Sequence, residues 1–122
     1  MALTTTPISG SDFPDVIVKE TDLESTAAID VFDGAKAVHV ININNSANGA
    51  ISYFKAYNSG SVTPASDVPV LKLAIPAGGT RNVIIADGIS FSTAFSMRCV
   101  TGTADDNTSN PSSSVIAVVV GS

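Results

Sequence analysis

Apolar positions along the chain fall into short runs separated by Gly, Pro, Asn, Asp and Ser, the punctuation of a chain that reverses direction often. The pattern predicts strands over 15–20, 26–32, 36–44, 50–58, 68–75, 81–86, 94–102 and 114–121. About eight strands joined by turn chemistry is the signature of an antiparallel β-sandwich of jelly-roll type. Over 25–32, Ser25 could cap a short helix, but Ile29, Val31 and Phe32 favour a strand.

Two turns carry specific expectations. In "NNSANG", Asn48-Gly49 suits the positive φ of a tight hairpin, which would pair strands 36–44 and 50–58 antiparallel. In "IPAGGT", Pro76 fixes φ and Gly78 or Gly79 supplies positive φ, so two strands meet at a turn. A phosphate cradle would need a helix with Lys and a hydroxyl directly after the last glycine. Here "TRNVIIADG" follows instead, β-branched and then turning again at Asp87-Gly88.

By period two, Ala37, His39, Ile41 and Ile43 share one face of their strand, and Val38, Val40, Asn42 and Asn44 the other. In the last strand Val115, Ala117 and Val119 oppose Ile116, Val118 and Val120. Neither strand has a cleanly polar face, which predicts that something covers the second one, a neighbouring subunit being a good candidate. Residues 1–14, "MALTTTPISGSDFP", show no helical period and read as an extended arm ahead of a single domain over 15–122.

Composition sharpens this picture. The chain has 122 residues, 44% hydrophobic but only 14% charged, with Ser, Thr, Asn and Gly filling the polar positions. One core is all it can bury. The net charge of −5 argues against nucleic acid, which needs clustered Lys and Arg. The acid is concentrated: Asp12, Asp15, Glu20, Asp22, Glu24, Asp30 and Asp33 stand against Lys19 alone. That segment is either a solvated face or a docking strip for a basic partner. No apolar run reaches membrane-spanning length, and no secretion signal is visible. Cys99 is the single cysteine, so no internal disulfide forms, consistent with assembly in a reducing cytoplasm.

Candidate chemistry is sparse. His39 and Cys99 are nominally a base and a nucleophile, but both sit in apolar strands, where a buried thiol is usually inert. One His and one Cys fall short of a structural zinc site. The loop "GTADDNTSN" gathers Asp105, Asp106, Asn107 and Asn110 without the spacing of a calcium loop, leaving a solvated loop, a weak cation site or a contact loop. Tyr53 and Tyr57 lie four residues apart on one face, available for packing, for an interface, or for a small stacking platform.

The order "VPVLKLAIPAGG", "ADGISFSTAFSMRCVTGTADDN" and a closing apolar strand, over 68–120, resembles the small β-sandwich virion proteins of tailed phages, cyanobacterial phages among them. Ala94 departs from the pattern, where related sequences tend to have glycine after the Ser-Thr pair. The resemblance implies a non-enzymatic head decoration (cement) protein on the capsid exterior, assembled in the host cytoplasm and commonly trimeric. It would bind the major capsid protein and take no metal or cofactor. A tail or fibre component, or a carbohydrate-binding receptor module, is the alternative. On this reading Asp12, Phe13, Asp15, Val16, Val18, Glu20, Asp22 and Glu24 are the expected capsid contacts, with Tyr53 and Tyr57 at the oligomer interface.

Overall fold

The computed structural model describes residues 2–7 and 16–122. Among these residues there is no helix. The strands are β1 (Leu3–Pro7), β2 (Val16–Leu23), β3 (Lys36–Asn44), β4 (Ser52–Asn58), β5 (Leu71–Ile75), β6 (Thr80–Phe91), β7 (Phe95–Val100) and β8 (Val115–Gly121). They form two antiparallel sheets, β1-β2-β8-β3-β6 and β5-β4-β7. The fold is all-β and sandwich-like, as the strand pattern predicts.

The core lies between the sheets. Val18, Leu23, Val38, Ile41, Ile43, Ala117 and Val119 meet Phe54, Ala56, Ile75, Phe95, Met97 and Cys99 there, all buried. Phe91 stands edge-on to Phe95 with ring centroids 4.8 Å apart, a favoured aromatic geometry. Each large side chain buried this way contributes about 1.5–3 kcal/mol.

The pairings nest. β4 pairs with β5, β3 with β6, and β2 with β8. Residues 24–31 run along β7: Glu24 O accepts from Cys99 N (3.0 Å), Ala28 and Met97 exchange bonds of 2.8 and 2.9 Å, and Val31 N donates to Phe95 O (2.8 Å). Between β2 and β8 the pairings thus nest around the 59–70 segment, in two sheets.

Several local expectations give way to tertiary demands. The 26–32 strand reduces to a single bridge, Ala28 to Met97. Asp30 and Asp33 take left-handed φ values of 47° and 57°, and the Asp30 carboxylate accepts from Gly34 N at 2.8 Å. This side-chain-closed turn ends the extended run, and Val31 and Phe32 are buried against the core beside it. The 36–44 and 50–58 strands do not pair, since β3 and β4 belong to different sheets. Asn45 and Asn48 are buried, and their amides hold the corner: Asn45 Nδ2 donates to Ala50 O and Pro76 O, and Asn48 Nδ2 to Asn45 Oδ1 and Ser113 O. Asn48 serves as a cross-layer strut, not as a hairpin residue.

Asp87-Gly88 is not an inter-strand turn either, because β6 continues through it to Phe91. Opposite His39, the β6 partner jumps from Ile89 to Ile84, making a bulge in which Gly88 takes φ 77°. The β8 partner moves only from Gly121 to Val120 across the same step. His39 is thus an extra residue that flips the alternation, placing Val38, Ile41 and Ile43 together in the core. The face predicted by strict period two is corrected by that bulge. "IPAGGT" does turn: Gly78 has φ 66°, Gly79 N donates to Pro76 O, and β6 follows directly, with no helix. At the N-terminus, residues 3–7 of the expected arm lie antiparallel on β2 as an edge strand of the chain's own sheet.

Candidate functional site

The expected capsid-contact strip divides by strand alternation. Val18 and Glu20 point inward and are fully buried, so neither lies on a surface strip, which corrects that expectation. Val16 is half-buried and packs on the core. Asp22 and Glu24 are half-buried, with Ser114 Oγ 3.3 Å from Asp22 Oδ1. Asp12, Phe13 and Asp15 lie outside the described residues.

The outer face of the three-stranded sheet is where the structure departs most from the sequence reading. All six residues of β7 are buried, because residues 101–110 fold over it. Arg98, fully buried, holds that loop with its whole fork: Nε donates to Tyr57 OH (2.8 Å), Nη1 to Asn107 O (2.6 Å) and Nη2 to Asp105 O (2.8 Å). Its guanidinium also lies 5.9 Å from the Tyr57 ring centroid. Lys55, directly across from Arg98 in the β4–β7 ladder, is buried and donates to Ala104 O. Lys72 Nζ reaches Thr103 O (3.1 Å) and Asp105 Oδ1 (2.7 Å) at the rim. The oxygen-rich loop therefore receives the chain's own cations. Tyr57, 2% exposed, is covered by this loop and offers no outward surface, which corrects its expected place at an oligomer interface; Tyr53 is half-buried.

Burial gives these groups their electrostatics. Desolvation lowers the Lys55 pKa, and the neighbouring Arg98 and Lys72 charges lower it further. The Lys72 hydrogen bond holds the Asp105 carboxyl below its usual range. Burial pushes the Cys99 thiol up to about 12.

His39 and Cys99 do not form a pair. Cys99 faces the core from β7, whereas His39 sits in the β3 bulge with its ring nitrogens 3.3 Å from Ala86 O and 2.8 Å from Ser122 Oγ. Among the described residues, no group of three His, Cys, Asp or Glu side chains could hold a metal ion.

The outer face of the five-stranded sheet is a surface that period-two reading did not assemble. The registers align Thr6, Ile17, Val120, Val40 and Ile84 in one row across all five strands. The next row is Thr4, Lys19, Val118, Asn42 and Asn82, in which Lys19 is the one charged residue. Ile84 is 71% exposed, and Ile116, Val118 and Val120 are half-buried. Elsewhere, an open groove of about 520 Å³ is lined by Ser25, Thr26, Ile29, Ser61, Pro64 and Thr108 among others. Comparison of the chain with protein-family models, with curated proteins and with solved structures finds no match.

Proposed function

We propose that this chain is a non-enzymatic virion structural protein, a head decoration protein that oligomerises through the outer face of its five-stranded sheet and binds the major capsid protein. The observation that carries the reading is the uncharged apolar row Ile17, Val120, Val40 and Ile84. Interface centres are depleted in charge and rich in such side chains, whereas a solvated sheet face is polar. The nested pairing of β2 with β8, 24–31 with β7, β3 with β6 and β4 with β5 supports the jelly-roll part of the reading. The acidic residues that remain outward, Asp22, Glu24, Asp30 and Asp33, supply charge for a basic shell surface. Binding to the assembled shell and not to free subunits would stabilise the shell by mass action, and an oligomer adds avidity.

Two measurements test this. Sedimentation equilibrium of the full chain against Ile84→Lys should show an oligomer, trimeric on this reading, that the substitution dissociates without lowering stability. Co-sedimentation with emptied, undecorated heads should saturate at a fixed ratio to the shell protein and weaken in Asp22→Asn/Glu24→Gln. A monomer that ignores heads refutes the reading. The hydroxyl-lined groove at Ser25, Thr26, Ser61 and Thr108 favours the carbohydrate-binding alternative, which selective glycan-array binding abolished by Thr26→Val would establish.

A further inference from the structure

Residues 24–31 run beside β7 at the edge of the three-stranded sheet, and one exchange fixes how they face. Ala28 and Met97 trade backbone bonds of 2.8 and 2.9 Å. In an antiparallel pair the residues on either side of such an exchange direct their N–H and C=O the opposite way. Ala27 and Ile29 therefore aim theirs away from β7, and among the described residues neither amide meets a partner. At one end this free edge is closed by Asn110, whose Oδ1 accepts from Ser25 N; at the other it stops where Asp30 turns to positive φ. Ala27 and Ile29 both line the open groove of about 520 Å³, where Val62 and Pro64 add apolar surface to an Ile29 that is 53% exposed. Charge gives the groove a sign. The segments that bound it, 24–34, 59–70 and 101–110, carry Glu24, Asp30, Asp33, Asp67, Asp105 and Asp106 and no Lys, Arg or His. Lys55, Lys72 and Arg98 reach the last of these segments from the sheet beneath and are engaged there.

We propose that this edge binds an extended, basic peptide segment of a partner protein, which adds to the sheet beyond residues 24–31. A free strand edge supplies main-chain hydrogen bonds to such a segment, and a groove beside it reads alternate side chains. Ala27 and Ile29 hold the backbone, small apolar side chains of the peptide meet Ile29, Val62 and Pro64, and its Lys or Arg side chains reach the surrounding carboxylates. The site belongs to the layer opposite the five-stranded sheet, so it leaves the proposed oligomer face free. It depends on the chemistry of the segment and not on the capsid reading.

The probe is an acetylated, amidated and fluorescently labelled peptide of alternating Lys and Val, titrated with the full chain by anisotropy. It should bind at least about tenfold more tightly than its counterpart with Glu for Lys, and lose about tenfold when alternate amides are N-methylated. At saturation it should slow amide exchange at Ala27 and Ile29 at least about tenfold and leave Ala28, already bonded to Met97, unchanged. Ile29→Lys, at an exposed position, should weaken the peptide about tenfold with an unchanged urea midpoint. Should that variant fail to fold, amide exchange in the unsubstituted chain decides. No binding at about 1 mM peptide, equal affinity for the Lys and Glu peptides, or binding that leaves both amides unprotected would each overturn the proposal. So would protection of those amides by raising the protein concentration alone, which assigns the edge to a second copy, or by a neutral glycan where the peptide gives none.

Discussion

Arg98→Ala is the substitution that most directly probes how the three-stranded sheet is covered. The arginine makes three hydrogen bonds, to Tyr57 OH and to the carbonyls of Asn107 and Asp105, at 2.6 to 2.8 Å. A hydrogen bond involving a charged group is worth about 1.5–3 kcal/mol net, so three set an upper bound near 5–9 kcal/mol. Two corrections bring this down. The carbonyls of the half-buried Asp105 and Asn107 can turn to water once the guanidinium is gone. Removing Arg98 also relieves its repulsion of Lys55, directly opposite. What stays lost is the partner of the hydroxyl of Tyr57, a buried residue, together with the packing of the arginine stem. The expected cost is about 3–5 kcal/mol, with Arg98→Lys at about 2–3 kcal/mol because an ammonium cannot reproduce the fork. Urea unfolding monitored by circular dichroism measures the loss. Cleavage of the folded protein by an Asp-N endoproteinase at Asp105 and Asp106 reports whether the loop has lifted. A loss below about 1 kcal/mol with unchanged cleavage would refute the idea that Arg98 clamps the loop.

Lys55→Met should be neutral or stabilising at pH 7, since it removes a buried ammonium whose desolvation outweighs its bond to Ala104 O. Because the folded Lys55 pKa lies below 10.5, the unfolded chain binds the extra proton between the two values, so stability due to this group rises with pH there; urea midpoints from pH 7 to 10 should show that rise only in the unsubstituted chain. Cys99 has the opposite sign: its thiol titrates at 9.0 unfolded but at about 12 folded, so it lowers stability above pH 9, and Cys99→Ala should flatten that fall. Asp105, held below 3.8 by Lys72, adds stability at neutral pH that disappears as pH falls through its folded value, a loss that Lys72→Met should abolish in acid titrations followed by fluorescence of its two tyrosines. Gly88→Ala should cost about 2–3 kcal/mol and Gly78→Ala about 1 kcal/mol, because both have positive φ but only a Gly88 Cβ would meet Ala37 and His39 atoms at 3.1 Å. Equal urea midpoints for those two variants would contradict this reading of the bulge.

Most strands were legible because their signal is local. Val115, Ala117 and Val119 alternate with flanking residues whatever the topology, and β8 appears where that alternation says it should. Partners were not legible, since pairing depends on what lies in the other layer. Asn48-Gly49 carries a hairpin preference of local origin, but a buried amide bonded to Asn45 and Ser113 outweighs it. The His39 bulge was hidden for a related reason: no residue there announces an insertion, and the side chains regroup only when β3 is read against β6 and β8 together. The Arg98 clamp had a faint signal, one cation each in the otherwise uncharged β4 and β7 with Asp105 and Asp106 a few residues beyond β7, but only the register sets Lys55 opposite Arg98.

Two sheet faces that are not left as polar, solvated surfaces pose one question and receive two answers in this molecule. For β7 the cover is the chain itself, and it works because residues 103–107 bring carbonyl oxygens to cations that no apolar lid could have accommodated. For β8 and its neighbours no described segment forms a comparable lid: among the described residues Ile116, Val118 and Val120 are half-buried, and Ile84 is 71% exposed. The difference is chemical. A sheet face bearing Arg98 and Lys55 must be closed by oxygen acceptors held at fixed positions, which a covalently attached loop supplies. A face bearing Ile17, Val40, Val120 and Ile84 asks only for apolar area, which a second chain can provide and release. The five-stranded sheet is therefore the side on which a partner should be sought, with Asp22 at the end of β2 and Glu24, Asp30 and Asp33 in the segment that follows it.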